Sequence, residues 1–529
     1  MPLRWTENGA VIGRENKETC VEEYLGIPFA RIKRFHRPEA YDEWEEPLVC
    51  YYASYSYPQD TTFVTFDLIP KIQNFEDLKF SDENKLLLDI YVPPVKTEDE
   101  QLPVMVYIHG GSLLNGGPAE YPGNTNLPKM GNVVLVVIQY RLGVMGFFSF
   151  KDGEKIMGNF GLYDQVFALE WVQRNIHNFN GDPNRVTIFG ESAGAFSCDA
   201  LIRSPFQKKG LFHRAIVQSG SLLSTWCPQT PSNRKLAVDK YCKELSLSSE
   251  EELKDALLKM TTKELIDFEN KYMLGTRGNR FLIVVDDEIV LKDFYDFKNE
   301  IKMPLYYGRI KSEGEYLLTH RFPGFKNGEM SEEIFRKMVK GQIEVWEIDC
   351  DEDLLDRISD LYKETDESGE TIWQKTFGRW YGDWLIGSGV FMTAQDASTF
   401  TFEFDVTPIW FHSDEHKGNC QIKPKWCESD HADDLPYLFG WVLGDKPGQG
   451  IKPTELDKKL SRAVIRDWSE FASGREPVCN QFTKWFDDVA IYTNQPRMRK
   501  IDNQKYEGKT ALFREVFKKR IAKFNTSDY

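Results

Sequence analysis

The sequence lacks the features that would place it in a membrane or on a nucleic acid. No stretch of its 529 residues approaches the roughly 18 consecutive apolar residues of a membrane-spanning helix. Its 66 Lys and Arg residues are outnumbered by 82 Asp and Glu residues, which gives a formal net charge of -16. Nucleic acids and anionic membranes attract clustered basic residues, so neither is expected as a partner.

Signs of export, of metal binding and of separate domains are also missing. The first residues, MPLRWTENGAVIG, contain no apolar segment preceded by basic residues, so no secretory signal is expected. Nine cysteines lie scattered without CxxC spacing, which predicts reduced thiols and no zinc site. No linker rich in Pro, Gly or Ser and no internal repeat divides the chain, so residues 1–529 are predicted to form one domain with insertions.

The chain does contain an alternation of short apolar runs and longer amphipathic stretches. Apolar, β-branched runs predict strands buried on both faces. Their alternation with helices predicts an α/β fold, in which a large, mostly parallel sheet carries helices on both faces. The predicted strands are 103–108, 133–143, 185–189, 214–220, 303–310 and 398–405, with helices at 161–179 and 192–202 and helix-rich insertions at 246–270 and 330–385.

A serine between two glycines follows one of these strands, in GESAG at 190–194. A nucleophile at a strand-to-helix turn needs a strained backbone that projects its hydroxyl outward, and side chains in place of the glycines would collide with neighbouring elements. The helix that begins at Ala193 also directs amides toward developing negative charge. The bare G-x-S-x-G pattern arises by chance, but in this context it predicts that Ser192 is a nucleophile.

An oxyanion needs hydrogen-bond donors, and YIHGGSLLNGG, just after strand 103–108, offers them. Its Gly110, Gly111 and Ser112 supply closely spaced amides, as in an HGGG-type loop with Ser112 in the third glycine position. The alternative is a turn that merely ends a strand. His109 is expected to fix the loop and not to act as a base.

The serine also needs a base, and the order nucleophile, acid, histidine limits the choice. Three of the eight histidines precede Ser192, and His213 follows it too closely to leave room for a strand and an acid. The histidines that remain are His320, His412, His416 and His431. His431 lies on a polar loop after the last predicted strand, although a surface histidine beside carboxylates would look the same.

The acid should lie at a strand end between the serine and the histidine. The segment MPLYYGRIKSEGEYLL offers Glu313 and Glu315 just past a predicted strand, and Gly314 allows a tight turn there. The residues alone leave the choice between the two glutamates open.

The series of segments resembles that of the type-B carboxylesterases, the α/β-hydrolase family that also contains cholinesterases, juvenile hormone esterases and the non-catalytic neuroligins. The resemblance runs from about residue 9 to 440, with a weaker match at WSEFASGREP. Segments that carry it include YLGIPFA, LLLDIYVPP, YIHGGS, YRLGVMGFFS, GNFGLYDQVFALEWVQRNIHNFNGDPNRVTIFGESAGA, FHRAIVQSGS, SEGEY, RFPGF and HADDLPYLFG.

The resemblance implies a serine esterase and assigns roles residue by residue. Ser192 would be the nucleophile, Glu313 the acid and His431 the general base. The amides of Gly111, Ser112 and Ala193 would form the oxyanion hole, Gly110 would shape its turn, Glu191 and Ser219 would support the triad, and Trp226 and Tyr316 would line the substrate pocket. The last two residues could equally be packing residues.

The implied reaction is cleavage of small-molecule carboxylic esters through an acyl-enzyme, without metal or organic cofactor. An acyltransferase with the same triad shares that intermediate and stays open as an alternative. A non-catalytic neuroligin-like protein is a third possibility, but it predicts a broken triad and an exported chain.

Secreted members of the family have bridging cysteines where this chain has Tyr57 and Lys85, and Ala256 occupies a position of their second bridge. The joint loss of these cysteines favours a reducing compartment. We therefore expect a cytoplasmic protein that resembles an intracellular invertebrate carboxylesterase.

Overall fold

Among the residues that it describes, the computed structural model has a central sheet of eleven strands and two smaller sheets. It describes residues 1–60, 79–120, 126–273, 280–295, 301, 303–315, 330–346, 348–396, 399–408, 426–443, 453–476, 490–493 and 503–524. Within these ranges, no helix combines the length and the apolar character needed to cross a membrane.

The strands are β1 (Leu3–Thr6), β2 (Gly9–Ile12), β3 (Arg14–Glu15), β4 (Glu22–Arg31), β5 (Glu39–Ala40), β6 (Leu48–Val49), β7 (Lys85–Val92), β8 (Leu102–Ile108), β9 (Val134–Ile138), β10 (Phe150–Asp152), β11 (Lys155–Met157), β12 (Gly181–Glu191), β13 (Arg214–Gln218), β14 (Leu305–Ile310), β15 (Thr399–Asp405) and β16 (Ala490–Thr493). The helices are α1 (Asn126–Gly131), α2 (Gly143–Phe147), α3 (Phe160–Asn175), α4 (Ala193–Arg203), α5 (Pro231–Leu245), α6 (Glu250–Lys259), α7 (Thr262–Met273), α8 (Glu332–Glu344), α9 (Glu352–Tyr362), α10 (Trp373–Gly382), α11 (Ser388–Asp396), α12 (Leu435–Leu438), α13 (Glu455–Ala472) and α14 (Asn503–Phe524).

The central sheet has the order β16-β15-β14-β13-β12-β8-β9-β7-β4-β3, and β5 pairs with β4. Neighbouring strands from β16 to β9 run parallel. The pairings of β7 with β9 and β4, and of β4 with β3 and β5, are antiparallel. The predicted α/β fold with a mostly parallel sheet is therefore confirmed, and each of the six predicted strands is present.

Strand β8 shows why the sheet is buried on both faces. Val104, Val106 and Ile108 belong to one apolar cluster, while Met105 and Tyr107 belong to the other. Successive side chains of a strand point to opposite faces, so a strand covered on both sides must be apolar throughout. Helices α3 and α4 contribute to the first cluster and α13 to the second.

Helix α13 covers one face of the sheet, and its sequence explains where the helix begins and which of its faces is buried. Its start is a capping box, in which the Thr454 side chain accepts a hydrogen bond from the Asp457 amide and the Asp457 carboxylate accepts one from the Thr454 amide. Leu460, Val464 and Trp468 follow at helical spacing and form its buried face. The cap satisfies amides that would otherwise lack partners at the helix start.

The parallel strands place several loops at one edge of the sheet. The carboxyl ends of β8, β12, β13 and β14 lie side by side, because these strands are neighbours and run in the same direction. Ligands of open α/β sheets bind beyond this edge. The segments that follow these four strands are therefore the first place to look for a functional site.

The cysteines that the structure describes include Cys20, Cys50, Cys198, Cys227 and Cys242, all of which are free. Tyr57, one of the positions where the resemblance implies the loss of a disulfide cysteine, is buried and donates a hydrogen bond to the Glu83 carbonyl. The cytoplasmic location and the single-domain organisation stay predictions.

A buried ion-pair network joins the C-terminal helix α14 to the sheet. Asp383 accepts hydrogen bonds from Arg309 of β14 at 2.5 Å and from Lys509 of α14 at 2.7 Å. Arg309 also donates to Glu403 of β15 at 2.7 Å, and Tyr362 donates to Asp383. Although burial opposes its ionisation, Lys509 and Arg309 hold the pKa of Asp383 below its ordinary value.

Replacing Asp383 with asparagine should lower the free energy of unfolding by about 3 kcal/mol, because it removes the carboxylate that two buried cations share. Urea denaturation of both proteins measures this difference. The double variant Asp383→Asn/Lys509→Met restores the charge balance and should recover part of the loss. A single variant as stable as the wild type would contradict this account of the network.

Candidate active site

Ser192 occupies the sharp turn between β12 and α4. Its backbone has φ 56° and ψ -123°, a conformation that residues other than glycine rarely adopt. Two backbone hydrogen bonds hold it there, from the Ser192 amide to the Gln218 carbonyl and from the Phe196 amide to the Ser192 carbonyl, each at 3.0 Å. The surrounding elements thus impose the strain that aims the side chain away from the sheet.

The flanking glycines are required by the close approach of β8. A Cβ atom built on Gly194 would lie 1.9 Å from the Ile108 carbonyl oxygen, and one on Gly190 would lie 2.6 Å from the Gly194 carbonyl. These neighbours are backbone atoms of the sheet and of the turn itself, so they cannot rotate away. Glycine on both sides of the turn is the condition under which β12 and α4 pack this tightly.

The structure brings Ser192, His431 and Glu313 together, although they are far apart in the sequence. The His431 Nε2 atom lies 2.8 Å from the Ser192 Oγ atom, and the Nδ1 atom lies 2.7 Å from Glu313 Oε2. The other Glu313 oxygen accepts a hydrogen bond from the Ile310 amide at 2.7 Å, which fixes the carboxylate at the end of β14. Glu313 and His431 are 1% and 4% exposed, so these bonds lie out of water.

Of the two glutamates that the sequence left open, Glu313 is the one that contacts His431. Glu315 is also buried, but its Oε2 accepts a hydrogen bond from the Glu428 amide at 2.7 Å. Of the other histidines, His213 binds the Val186 amide near the start of the apolar part of β12, remote from Ser192. His320, His412 and His416 lie outside the described residues.

Carboxylates surround the His431 imidazole. Glu191 Oε1 lies 3.2 Å from His431 Nε2, on the side of the ring that faces Ser192. Burial disfavours the imidazolium, but Glu191, Glu313 and Asp430 outweigh it and raise the pKa of His431 to about 9. Burial raises the pKa of the Glu191 carboxyl, and the charge on His431 opposes that shift. The site therefore stabilises positive charge on His431.

The loop after β8 passes directly beside the serine. A Cβ atom built on Gly110 would lie 3.1 Å from Ser192 Cβ and 2.8 Å from the Glu191 carbonyl oxygen. Gly111, Ser112 and Leu113 have φ values of 107°, 57° and 63°. Three successive residues with positive φ make a tight turn of the backbone beside Ser192, which the amides of Leu114 and Asn115 close by donating to the Gly111 carbonyl.

His109 anchors this loop from below. It is fully buried, its Nδ1 atom lies 2.8 Å from the Gly110 carbonyl oxygen, and its ring stacks on Tyr140 at 4.4 Å. Tyr140 in turn donates a hydrogen bond to the His109 carbonyl at 2.8 Å. Burial lowers the pKa of His109 to about 4, so the ring is neutral, as its expected structural role requires.

The remaining sequence-predicted residues have different positions. Ser219 is buried after β13 with φ 59°, and its amide donates to the Gly308 carbonyl at 2.8 Å. The Trp226 ring lies 4.4 Å from the ring of Phe196 on α4, one turn beyond Ser192. Tyr316 lies outside the described residues.

Sequence reasoning missed two carboxylates that shape the site, although both are near His431 in the segment ESDHADD. Asp430 accepts a hydrogen bond from the His431 amide at 2.7 Å. Asp434 accepts one from the Gln218 side chain at 2.7 Å, and burial raises the pKa of Asp434 to about 7.

The described residues include no group of three or more His, Cys, Asp or Glu arranged to hold a metal ion.

The chain is similar to known carboxylesterases over most of its length. A model of the carboxylesterase family matches residues 2–518. The chain is 31% identical to the pyrethroid hydrolase Ces2e of Rattus norvegicus over 510 residues, which cover 92% of this chain and 84% of that protein. It is 31% identical to the cocaine esterase of Homo sapiens over 538 residues (93% and 87%) and 34% identical to the liver carboxylesterase of Sus scrofa over 528 residues (92% and 87%).

Proposed function

This chain belongs to the carboxylesterase family, and from that premise we propose which of its residues hydrolyse the ester. The protein is an α/β-hydrolase enzyme that cleaves carboxylic ester bonds. We assign the nucleophile to Ser192, the general base to His431 and the acid to Glu313. The continuous chain of hydrogen bonds from Ser192 through His431 to Glu313 carries this assignment.

The first half of the reaction forms an acyl-enzyme. His431 Nε2 accepts the Ser192 proton as Oγ attacks the ester carbonyl carbon, and Glu313 holds the proton on Nδ1 so that Nε2 is free to accept. The carbonyl oxygen becomes an oxyanion, which the amides of Gly111, Ser112 and Ala193 bind. Each such donor contributes about 3 kcal/mol to the transition state.

The second half releases the acid. Before this, His431 has returned its first proton to the leaving alcohol, which completes the acyl-enzyme. His431 then takes a proton from water as that water attacks the acyl carbonyl, and it gives this proton to the Ser192 Oγ atom as the bond from Oγ to the acyl carbon breaks and the acid leaves. The carboxylate of Glu191 beside Nε2 stabilises the imidazolium that forms in both halves. Trp226, packed against α4, borders the acyl group in this proposal.

The acyl acceptor is tested by product analysis. The wild type should convert p-nitrophenyl butyrate to butyrate and p-nitrophenol in water, and an organophosphate should label it in a one-to-one ratio. In a parallel reaction with a low concentration of added alcohol, an acyltransferase would form more butyryl ester of that alcohol than free butyrate. Labelling by the organophosphate without hydrolysis would also favour the acyltransferase. A wild type that neither turns over nor labels would contradict the assignment of the site.

Replacing Glu191 with glutamine should move the acid limb of the kcat/KM profile to lower pH by about one unit. The base works only when neutral, and Glu191 raises the pKa of His431 by stabilising its charged form. Without that charge the imidazole stays neutral at lower pH. Profiles between pH 5 and 10 on p-nitrophenyl butyrate measure the shift, and an acid limb that stays in place or moves up would contradict this role of Glu191.

A further inference from the structure

Two glutamates that follow β14 have separate partners. Glu313 binds His431, whereas Glu315 binds the backbone amide of Glu428, three residues before that histidine. Glu315 is fully buried, so its hydrogen bond at 2.7 Å is shielded from water. The segment after β14, which we call the acid loop (residues 311–315), is therefore tied to the histidine loop (residues 426–434) by a contact outside the triad.

Arg379 of α10 connects the same two loops. Its Nη2 atom donates to Glu428 Oε2 at 2.6 Å on the histidine loop. Its Nε atom lies 3.4 Å from Glu315 Oε1, and Nη1 donates to the Ser312 hydroxyl, both on the acid loop. The planar guanidinium presents its donors in a fixed fork, so the three contacts define the relative position of the loops in a way that a single-point ammonium does not.

The charges of the residues around Arg379 favour the contact between the acid loop and the histidine loop. Arg379 is 8% exposed and faces two carboxylates, while Lys375 donates to Glu428 at 3.0 Å from the same helix. Lys311 lies 3.8 Å from Glu428 and 2.9 Å from Asp405. Although burial opposes ionisation, Arg379 and Lys375 hold the pKa of Glu428 at about 2, which keeps this ion pair formed at neutral pH.

The backbone of α10 touches the acid loop directly. A Cβ atom built on Gly314 would lie 2.4 Å from both the Gly378 carbonyl oxygen and the Gly382 amide nitrogen. A Cβ on Gly382 would lie 2.8 Å from Glu313 Cβ. Gly314 is thus required by this close approach, not by the tight turn that its sequence context suggested. The contact brings the Arg379 side chain within reach of both loops.

We propose that Arg379 is a positioning residue of the triad: it fixes the acid loop and the histidine loop relative to each other, and so keeps Glu313 within hydrogen-bond distance of His431. This inference rests on the proposed function, because it assigns a role to Arg379 through Glu313 and His431. Arg379 contacts neither Ser192 nor His431 in the structure, and it acts through Ser312, Glu315 and Glu428.

The test compares Arg379→Gln and Arg379→Lys with the wild type, with active sites counted by organophosphate titration. For Arg379→Gln we expect kcat per active site to fall about tenfold while KM changes less than twofold. The acid limb of kcat/KM should also move to lower pH, because Glu313 raises the pKa of His431. Arg379→Lys retains the charge but not the fork, and should recover part of kcat.

Arg234→Gln is the matched control, since it removes a buried arginine that pairs with Glu250 outside the two loops. Its kcat per active site and its pH profile should equal those of the wild type. If Arg379→Gln loses only active-site concentration and keeps the wild-type kcat and acid limb, Arg379 is merely structural and the proposal is wrong.

Glu315→Gln keeps the inference testable if Arg379→Gln does not fold. It retains an oxygen for the Glu428 amide and loses the charge that faces Arg379, so we expect a loss of about threefold in kcat and a smaller shift of the acid limb. If kcat and the acid limb of kcat/KM equal those of the wild type in both Glu315→Gln and Arg379→Lys, the proposal is wrong. If the wild type is active in the same series, this outcome overturns only the role of Arg379. If the wild type is inactive, the proposed function itself fails.

Discussion

Replacing Ser192 with alanine should lower kcat for p-nitrophenyl butyrate about a millionfold and leave the chain folded. The variant loses the atom that attacks the ester, and water positioned by the rest of the site is a poor substitute. Alanine keeps the Cβ atom, so the turn between β12 and α4 has the same backbone requirement as in the wild type. The residual rate comes from the oxyanion hole and from substrate binding alone.

Ser197→Ala, on the helix α4 that follows Ser192, provides a matched control. Ser197 is buried and accepts a hydrogen bond from Gln165 at 3.1 Å, so its loss affects stability but no reacting atom. Turnover and organophosphate labelling should persist in this control and disappear in Ser192→Ala. If Ser192→Ala retained a tenth of the wild-type kcat, the nucleophile would have to be another residue.

Replacing Glu313 with glutamine should lower kcat about ten-thousandfold. The carboxylate accepts the Nδ1 proton of His431 at 2.7 Å, which leaves Nε2 free to take the serine proton. A glutamine amide that donates to Nδ1 would place the proton on Nε2 and block that step. Steady-state kinetics over a pH series measure the loss, and binding of substrate should change little because Glu313 is buried behind the histidine.

Glu315→Gln is the natural control for this prediction, because it makes the same chemical change two residues further along. Its expected loss is a few-fold, since Glu315 contacts the Glu428 amide and Arg379 and not the imidazole. Equal losses in the two variants would mean that the acid loop acts only as a unit, and would contradict the assignment of Glu313 as the acid.

The sequence predicted those parts of the fold and the site that depend on local patterns. The strand, turn and helix around Ser192 follow from a buried apolar run, two glycines and an amphipathic segment within a short stretch, so β12 and α4 were predicted together. The antiparallel strands β4 and β7 are not among the predicted strands, although both are largely buried. Their pairing depends on partners from distant parts of the chain.

The choice of Glu313 and the role of Arg379 could not be derived from the residues alone. Glu313 and Glu315 are chemically alike, and the direction of each side chain is decided by how the chain turns after β14 against the backbone of α10. Family resemblance selected Glu313, but no local pattern points to Arg379, whose partners lie on two other loops. The run of acidic residues on both sides of His431, in ESDHADD, does indicate that carboxylates such as Asp430 and Asp434 lie near the imidazole.

The most direct test of the account is to trap the acyl-enzyme. Wild-type protein mixed with p-nitrophenyl butyrate and quenched in acid within the first turnover should carry one butyryl group, and peptide mass mapping should locate it on Ser192. The same experiment on Ser192→Ala should give no adduct. A butyryl group on any other residue, or hydrolysis by the wild type with no adduct at any quench time, would contradict the proposed mechanism.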